Sequence, residues 1–239
     1  MRWRADPREI LAEAAAELAA LGGDAVNTLV VYGSAAGAGF RPEHSDVNLA
    51  VVLEPLEFAH LQRIAQWWTR WRRHRVAAPL VLSLTELARS RDIFPLELLD
   101  IQARHRTLAG AELFADLVVD PEAVRAECER EAKGKLLRLR ALYLELAGST
   151  RELHALMLDS RKTFLHVMRG LLHLRGEPWS GHGAEVVRAF ERHFACALPV
   201  LAALEEHEPA GPVTARFAAY LDEIELLATV ADREASAPA

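Results

Sequence analysis

The chain has 239 residues, 51% hydrophobic and 26% charged, which is the balance of a globular protein with room for a buried core and excludes a disordered chain. Its formal net charge of −6 leaves no global basic field, so nucleic acid is not an expected partner. No apolar run reaches the ~20 residues of a membrane helix, no signal-peptide core follows Met1, and Cys128 and Cys196 have no metal-ligand spacing, so a soluble cytoplasmic protein with reduced thiols is expected.

Taken in chain order, Ile10, Leu11, Ala14, Leu18 and Leu21 recur at helical spacing and Gly22-Gly23 ends that helix. Residues 25–32 read as a buried strand, and residues 46–53 as a second one stopped by Pro55. Helix is expected over 57–75, with Leu61, Ile64, Trp68 and Trp71 as its core face. Trp67 is then left over to line a site or an interface, and Arg70, Arg72, Arg73 and Arg75 form a solvated end. Pro79 to Leu84 reads as a third strand, and Thr85 as the N-cap of a short helix reaching Arg91. Phe94 to Ile101 reads as a strand with Pro95 at its start, and His105 to Leu108 as an edge strand before Gly110.

After Val119 the texture changes. Asp120-Pro121-Glu122 is a strong helix start. Gly148-Ser149-Thr150 is a break and a new cap, opening a second long helix to about residue 175. A loop with Gly181-His182-Gly183 precedes two more helices, 184–206, with a break at Pro199, and 213–232. Two domains follow from this, 1–120 mixing strands and helices and 121–239 an antiparallel helical bundle.

The chemistry concentrates in residues 29–53. An apolar strand runs into Gly33-Ser34, and Ser45-Asp46-Val47-Asn48 then enters a second apolar strand, Leu49 to Leu53. A glycine lets backbone approach a phosphate closely, and neighbouring amides make an anion-binding nest. Residues i and i+2 on a strand point to one face, so Asp46 and Asn48 present their oxygens together.

This constellation resembles the signature of the nucleotidyltransferase superfamily, in which Gly-Ser is followed by Asp-x-Asp. The helical second half is similar to the bundle of kanamycin-type nucleotidyltransferases, and Phe94 to Ile101 with His105 to Gly110 looks like the closing strands of bacterial nucleotidyltransferase-domain proteins. The resemblance implies an α+β fold: a nucleotidyltransferase-like mixed sheet with flanking helices, followed by an all-α bundle. It implies an NTP as substrate, Mg²⁺ as cofactor, and transfer of NMP to an acceptor hydroxyl with release of pyrophosphate. It also implies a bundle that helps bind the acceptor, often across a homodimer. Gly33, Ser34 and Ser45 would hold nucleotide. Asp46, Asn48 and a third acid would hold metal and carry catalysis.

The chain departs from that pattern at Asn48, whose amide oxygen carries no charge, whereas Mg²⁺ favours carboxylate oxygen. For the third acid the choices are Glu97 and Asp100, which face opposite sides on a strand. Glu97 is preferred because Asp100 lies near the strand end, and Glu86 is a weaker choice. Two readings follow: an NMP transferase weakened by Asn48, and a catalytically inactive nucleotide-binding or scaffold protein whose helical half binds a partner. A third, lesser reading rests on Arg161 with His166 and Arg188 with His193. Each pair resembles the Arg-x₄-His motif of HEPN ribonucleases and suggests an RNA-processing, toxin–antitoxin role. An arginine-rich chain with ten histidines yields such a match by chance.

Overall fold

Val26–Tyr32 and Asn48–Leu53 are short apolar runs rich in β-branched residues, and each becomes a central strand. The computed structural model describes residues 7–37, 46–89, 94–177, 183–204 and 212–235, which form two units, Met1–Val118 and Val119–Ala239. The α+β architecture expected from the sequence is present, a mixed sheet with flanking helices followed by a helical region.

In the first unit the order is α1 (Pro7–Gly22), β1 (Val26–Tyr32), β2 (Asn48–Leu53), α2 (Phe58–Trp71), β3 (Leu80–Ser83), α3 (Leu84–Arg89), α4 (Pro95–Ala103) and β4 (His105–Gly110). The strands form one four-stranded sheet in the order β3-β2-β1-β4. β1 runs antiparallel to both β2 and β4, and β2 runs parallel to β3.

Alternation divides the sheet into two faces. Leu29, Val31, Leu49, Val51 and Leu53 pack with Leu18 of α1 and with Ile64 and Trp67 of α2 in one core. The intervening residues Val30, Tyr32, Asn48, Ala50 and Val52 therefore belong to the opposite face.

The structure corrects three sequence readings. Phe94–Ile101 is no strand: Pro95 takes a first-turn position and the segment is helix α4. On α2 the buried residues are His60, Ile64, Trp67 and Trp71. Trp67 is fully buried and its Nε1 donates to the Ala14 carbonyl at 3.0 Å, so it is core and lines no open site, whereas Leu61 is 40% exposed. The cap of α3 is Ser83 and not Thr85. The Glu86 amide donates to Ser83 Oγ (3.1 Å), and the Ser83 amide and hydroxyl donate to Glu86 Oε2 (2.8 and 3.0 Å).

The second unit holds α5 (Pro121–Leu146), α6 (Thr150–Leu174), α7 (Gly183–Phe194), α8 (Pro199–Ala203) and α9 (Val213–Ala235). Asp120 and Ser149 cap α5 and α6, accepting from the Glu122 and Glu152 amides at 3.0 and 3.3 Å. The break expected at Pro199 separates α7 from α8. Glu223 of α9 closes that break, its carboxylate accepting from the Val200 and Leu201 amides at 2.7 and 2.9 Å. Both cysteines are free thiols, and burial pushes the Cys128 thiol up to about 12, which keeps it unreactive. Among the described residues no helix is long and apolar enough to cross a membrane.

Candidate functional site

Tyr32, the last residue of β1, pairs with Asn48, the first of β2. Gly33-Ser34 and Asp46-Val47 therefore leave the sheet side by side at one end. Gly33 has φ +73° and begins a single 3₁₀ turn, Gly33–Ala36. Its own amide is committed, donating to the Arg104 carbonyl at 2.9 Å just before β4. A Cβ on Gly33 would lie 3.4 Å from the Asn48 side-chain nitrogen, which places the turn against Asn48. Ser34 lies in the turn, and Ser45 lies outside the described residues.

Asp46 continues the line of β2 backwards. An isolated parallel bridge joins Val47 to Val76, with the Val47 amide donating to the Arg75 carbonyl (2.9 Å) and the Ala77 amide to the Val47 carbonyl (2.9 Å). This lays Arg75 beside Asp46. Its Nε and Nη2 each stand 3.2 Å from Asp46 Oδ1.

Glu97 reaches the same sheet face from α4. Its Oε1 accepts from the Tyr32 hydroxyl at 2.8 Å. Glu97 and Asp100 are three apart on a helix, so they share a face rather than opposing each other as they would on a strand. The Tyr32 phenol is held well above its ordinary range, first by burial and then by the negative charge of Glu97, its hydrogen bond to Glu97 and the charge of Asp100. Glu86 is spent on the start of α3.

Two magnesium ions in a transferase site need several carboxylates aimed at one point. The four strands carry no acidic residue. Asp46 is bound to a guanidinium, Asn48 is neutral, and Glu97 is bound to Tyr32. Among the described residues no three or more His, Cys, Asp or Glu side chains gather as a metal site. Among the described residues the donor set does not fit a two-metal centre.

Sequence reasoning missed Tyr32 and Arg75. Tyr32 carried a signal, since alternation from the buried Leu29 and Val31 puts it on the face of Asn48. Arg75 carried none, being one arginine in an arginine-rich run.

In the second unit Arg161 is buried and its Nε donates to the Leu201 carbonyl at 3.0 Å, a structural use of that guanidinium. His193 Nδ1 lies 3.4 Å from Glu177 Oε1. Each Arg-x₄-His pair sits on one helix, α6 or α7.

No family model matches the chain, and no curated protein matches it. Among solved structures it is similar to spectinomycin adenyltransferase AAD(9) from Enterococcus faecialis, crystallised with ATP and spectinomycin. The identity is 12%, the match covers 94% of this chain and 99% of that one, and the TM-score is 0.49.

Proposed function

We propose that this chain is a nucleotidyltransferase-like protein that binds a nucleoside triphosphate without running metal-dependent transfer, its helical unit serving as a partner surface. The observation that carries this reading is the meeting of the Gly33-Ser34 turn with Asp46 and Asn48 at one end of adjacent antiparallel strands. It is the Gly-Ser and Asp-x-Asn pattern of the sequence, now side by side in space, with one carboxylate where two are needed.

Gly33 and Ser34 form the nucleotide side of the site in this proposal, and Ser45 is added to them from the sequence motif alone. Asp46 and Asn48 mark the place of the metals, and Glu97 acts through Tyr32. Transfer of NMP to an acceptor hydroxyl is the activity that this donor set weakens. Neutral Asn48 removes one ligand charge, and Glu97 is drawn to the phenol.

Incubation of the protein with radiolabelled ATP, GTP, CTP or UTP and Mg²⁺ tests the reading. Nucleotide binding without release of pyrophosphate is expected. Metal-dependent release of pyrophosphate would overturn it in favour of an active transferase. Absence of binding by all four NTPs would leave a scaffold.

A further inference from the structure

Arg75 has a backbone conformation that its side chain does not favour. It follows α2 and a 3₁₀ turn, Arg72–His74, and sits at φ 57° and ψ 25°. This left-handed position after a helix is ordinarily given to glycine or asparagine. An arginine there is stabilised by its surroundings, and the backbone supplies them: the Val47–Val76 bridge on one side and a Trp68 Nε1 bond to the Val76 carbonyl at 3.2 Å on the other. The side chain so held is half-buried and directs both Nε and Nη2 at a single oxygen of Asp46.

Asp46 is the one carboxylate of the Ser-Asp-x-Asn motif. A guanidinium remains charged at every physiological pH and cannot step aside by losing its proton. A divalent cation approaching Asp46 meets a positive charge already bonded to one oxygen of that carboxylate.

We infer that Arg75 is an internal cation that takes the place of a divalent metal at Asp46, so that two positions, Asn48 and Arg75, together set the site free of metal. The inference deepens the reading of a nucleotide site and rests on it for the identity of the ligand. The exclusion of metal is a property of Asp46, Asn48 and Arg75 and does not depend on which ligand the site takes.

The test uses the full chain as wild type, Asn48→Asp, Arg75→Gly and the double variant. Glycine suits the left-handed backbone, so Arg75→Gly removes the charge and keeps the turn, and Arg75→Lys serves as the variant that keeps charge. Free Mn²⁺ is followed by electron paramagnetic resonance as it is titrated alone. The double variant is expected to bind Mn²⁺ roughly 10-fold more tightly than Asn48→Asp, and Asn48→Asp combined with Arg75→Lys is expected to fall back toward Asn48→Asp. Equal affinity of Asn48→Asp and the double variant would overturn the inference. A parallel titration with ATP in EDTA separates the two ideas. Loss of ATP affinity in Arg75→Gly supports the guanidinium as the working cation. Failure of wild type to bind ATP with or without Mg²⁺ overturns the nucleotide reading, and the Mn²⁺ comparison still decides the role of Arg75.

Discussion

At the residue scale, the sheet holds its shape through a few atoms with no room to spare. Gly110 closes β4 at φ +79°, and a Cβ there would lie 2.1 Å from the Asn27 carbonyl oxygen. That oxygen also accepts from the Ala111 amide at 2.8 Å, so neither partner can retreat without losing a bond. Gly110→Ala is expected to destabilise the protein by about 3 kcal/mol or more, measured by urea unfolding. Gly33→Ala meets only an ordinary contact, so its cost is the left-handed backbone alone, about 1–2 kcal/mol. The order of these two variants checks the geometry better than either value.

At the scale of elements, α2 and α4 show what periodicity can carry. Apolar residues at 61, 64, 68 and 71 make a helical stripe, and so do Ile64, Trp67 and Trp71. Two adjacent tryptophans leave the phase undecided by sequence. The structure decides it through polar tips. Trp67 Nε1 finds the Ala14 carbonyl inside the core, and Trp71 Nε1 reaches Glu17 Oε2 at 2.9 Å. Trp67→Ala should cost about 3–5 kcal/mol in urea unfolding, and Leu61→Ala far less. The α4 segment was misread for a related reason. Phe94, Leu96 and Leu98 alternate as in a strand, while Leu98 and Ile101 keep helical spacing, and a short apolar run fits both. With that misreading went the relation of Glu97 to Asp100, which the helix reverses. The turn at Gly33 and the entry through Asp46 into β2 were legible because a glycine ending one apolar run and polar residues opening the next mark the strand ends. Arg75 was not, because nothing local marks one arginine of a cluster as the partner of a residue so distant in sequence.

The segment after β4 gives a prediction of pH dependence at the same scale. Glu112 accepts from Thr107 Oγ1 at 2.5 Å and from the Phe114 amide at 3.0 Å, and His105 Nε2 lies 2.8 Å from it. Burial works against its ionised form, but the bonds from Thr107, His105 and Phe114 outweigh it and hold the carboxyl down at about 2. A carboxyl depressed in the folded state stabilises fully above its unfolded value of 4.5 and loses that contribution as pH falls toward about 2. Protection of the Phe114 and Ala115 amides, taken relative to their intrinsic exchange rates, should therefore be full above pH 4.5 and fall as pH drops toward about 2, and Glu112→Gln should remove that dependence.

At the scale of the whole molecule, each unit holds a tyrosine whose phenol is kept in its neutral form, Tyr32 half-buried and Tyr220 fully buried. In the first unit Tyr32 is kept protonated by burial and by the charge of Glu97. In the second, burial raises Tyr220, which shares a 2.8 Å hydrogen bond with Ser160. A group raised in the folded state contributes stability that is present below its unfolded value, here 10.0, and is lost as pH climbs past it. Thermal unfolding should show stability falling above pH 10, with Tyr32→Phe and Tyr220→Phe each flattening part of the fall.

At the sheet end proposed to hold nucleotide, a carboxylate, an amide and a guanidinium stand together where a metal centre would call for acids. The central claim is that nucleotide is held there without metal. Isothermal titration of the wild-type chain with ATP, once in Mg²⁺ and once in EDTA, tests it most directly. The account predicts binding of equal affinity in the two buffers. Binding in Mg²⁺ that disappears in EDTA would contradict it and return Asp46 to the role of a metal ligand.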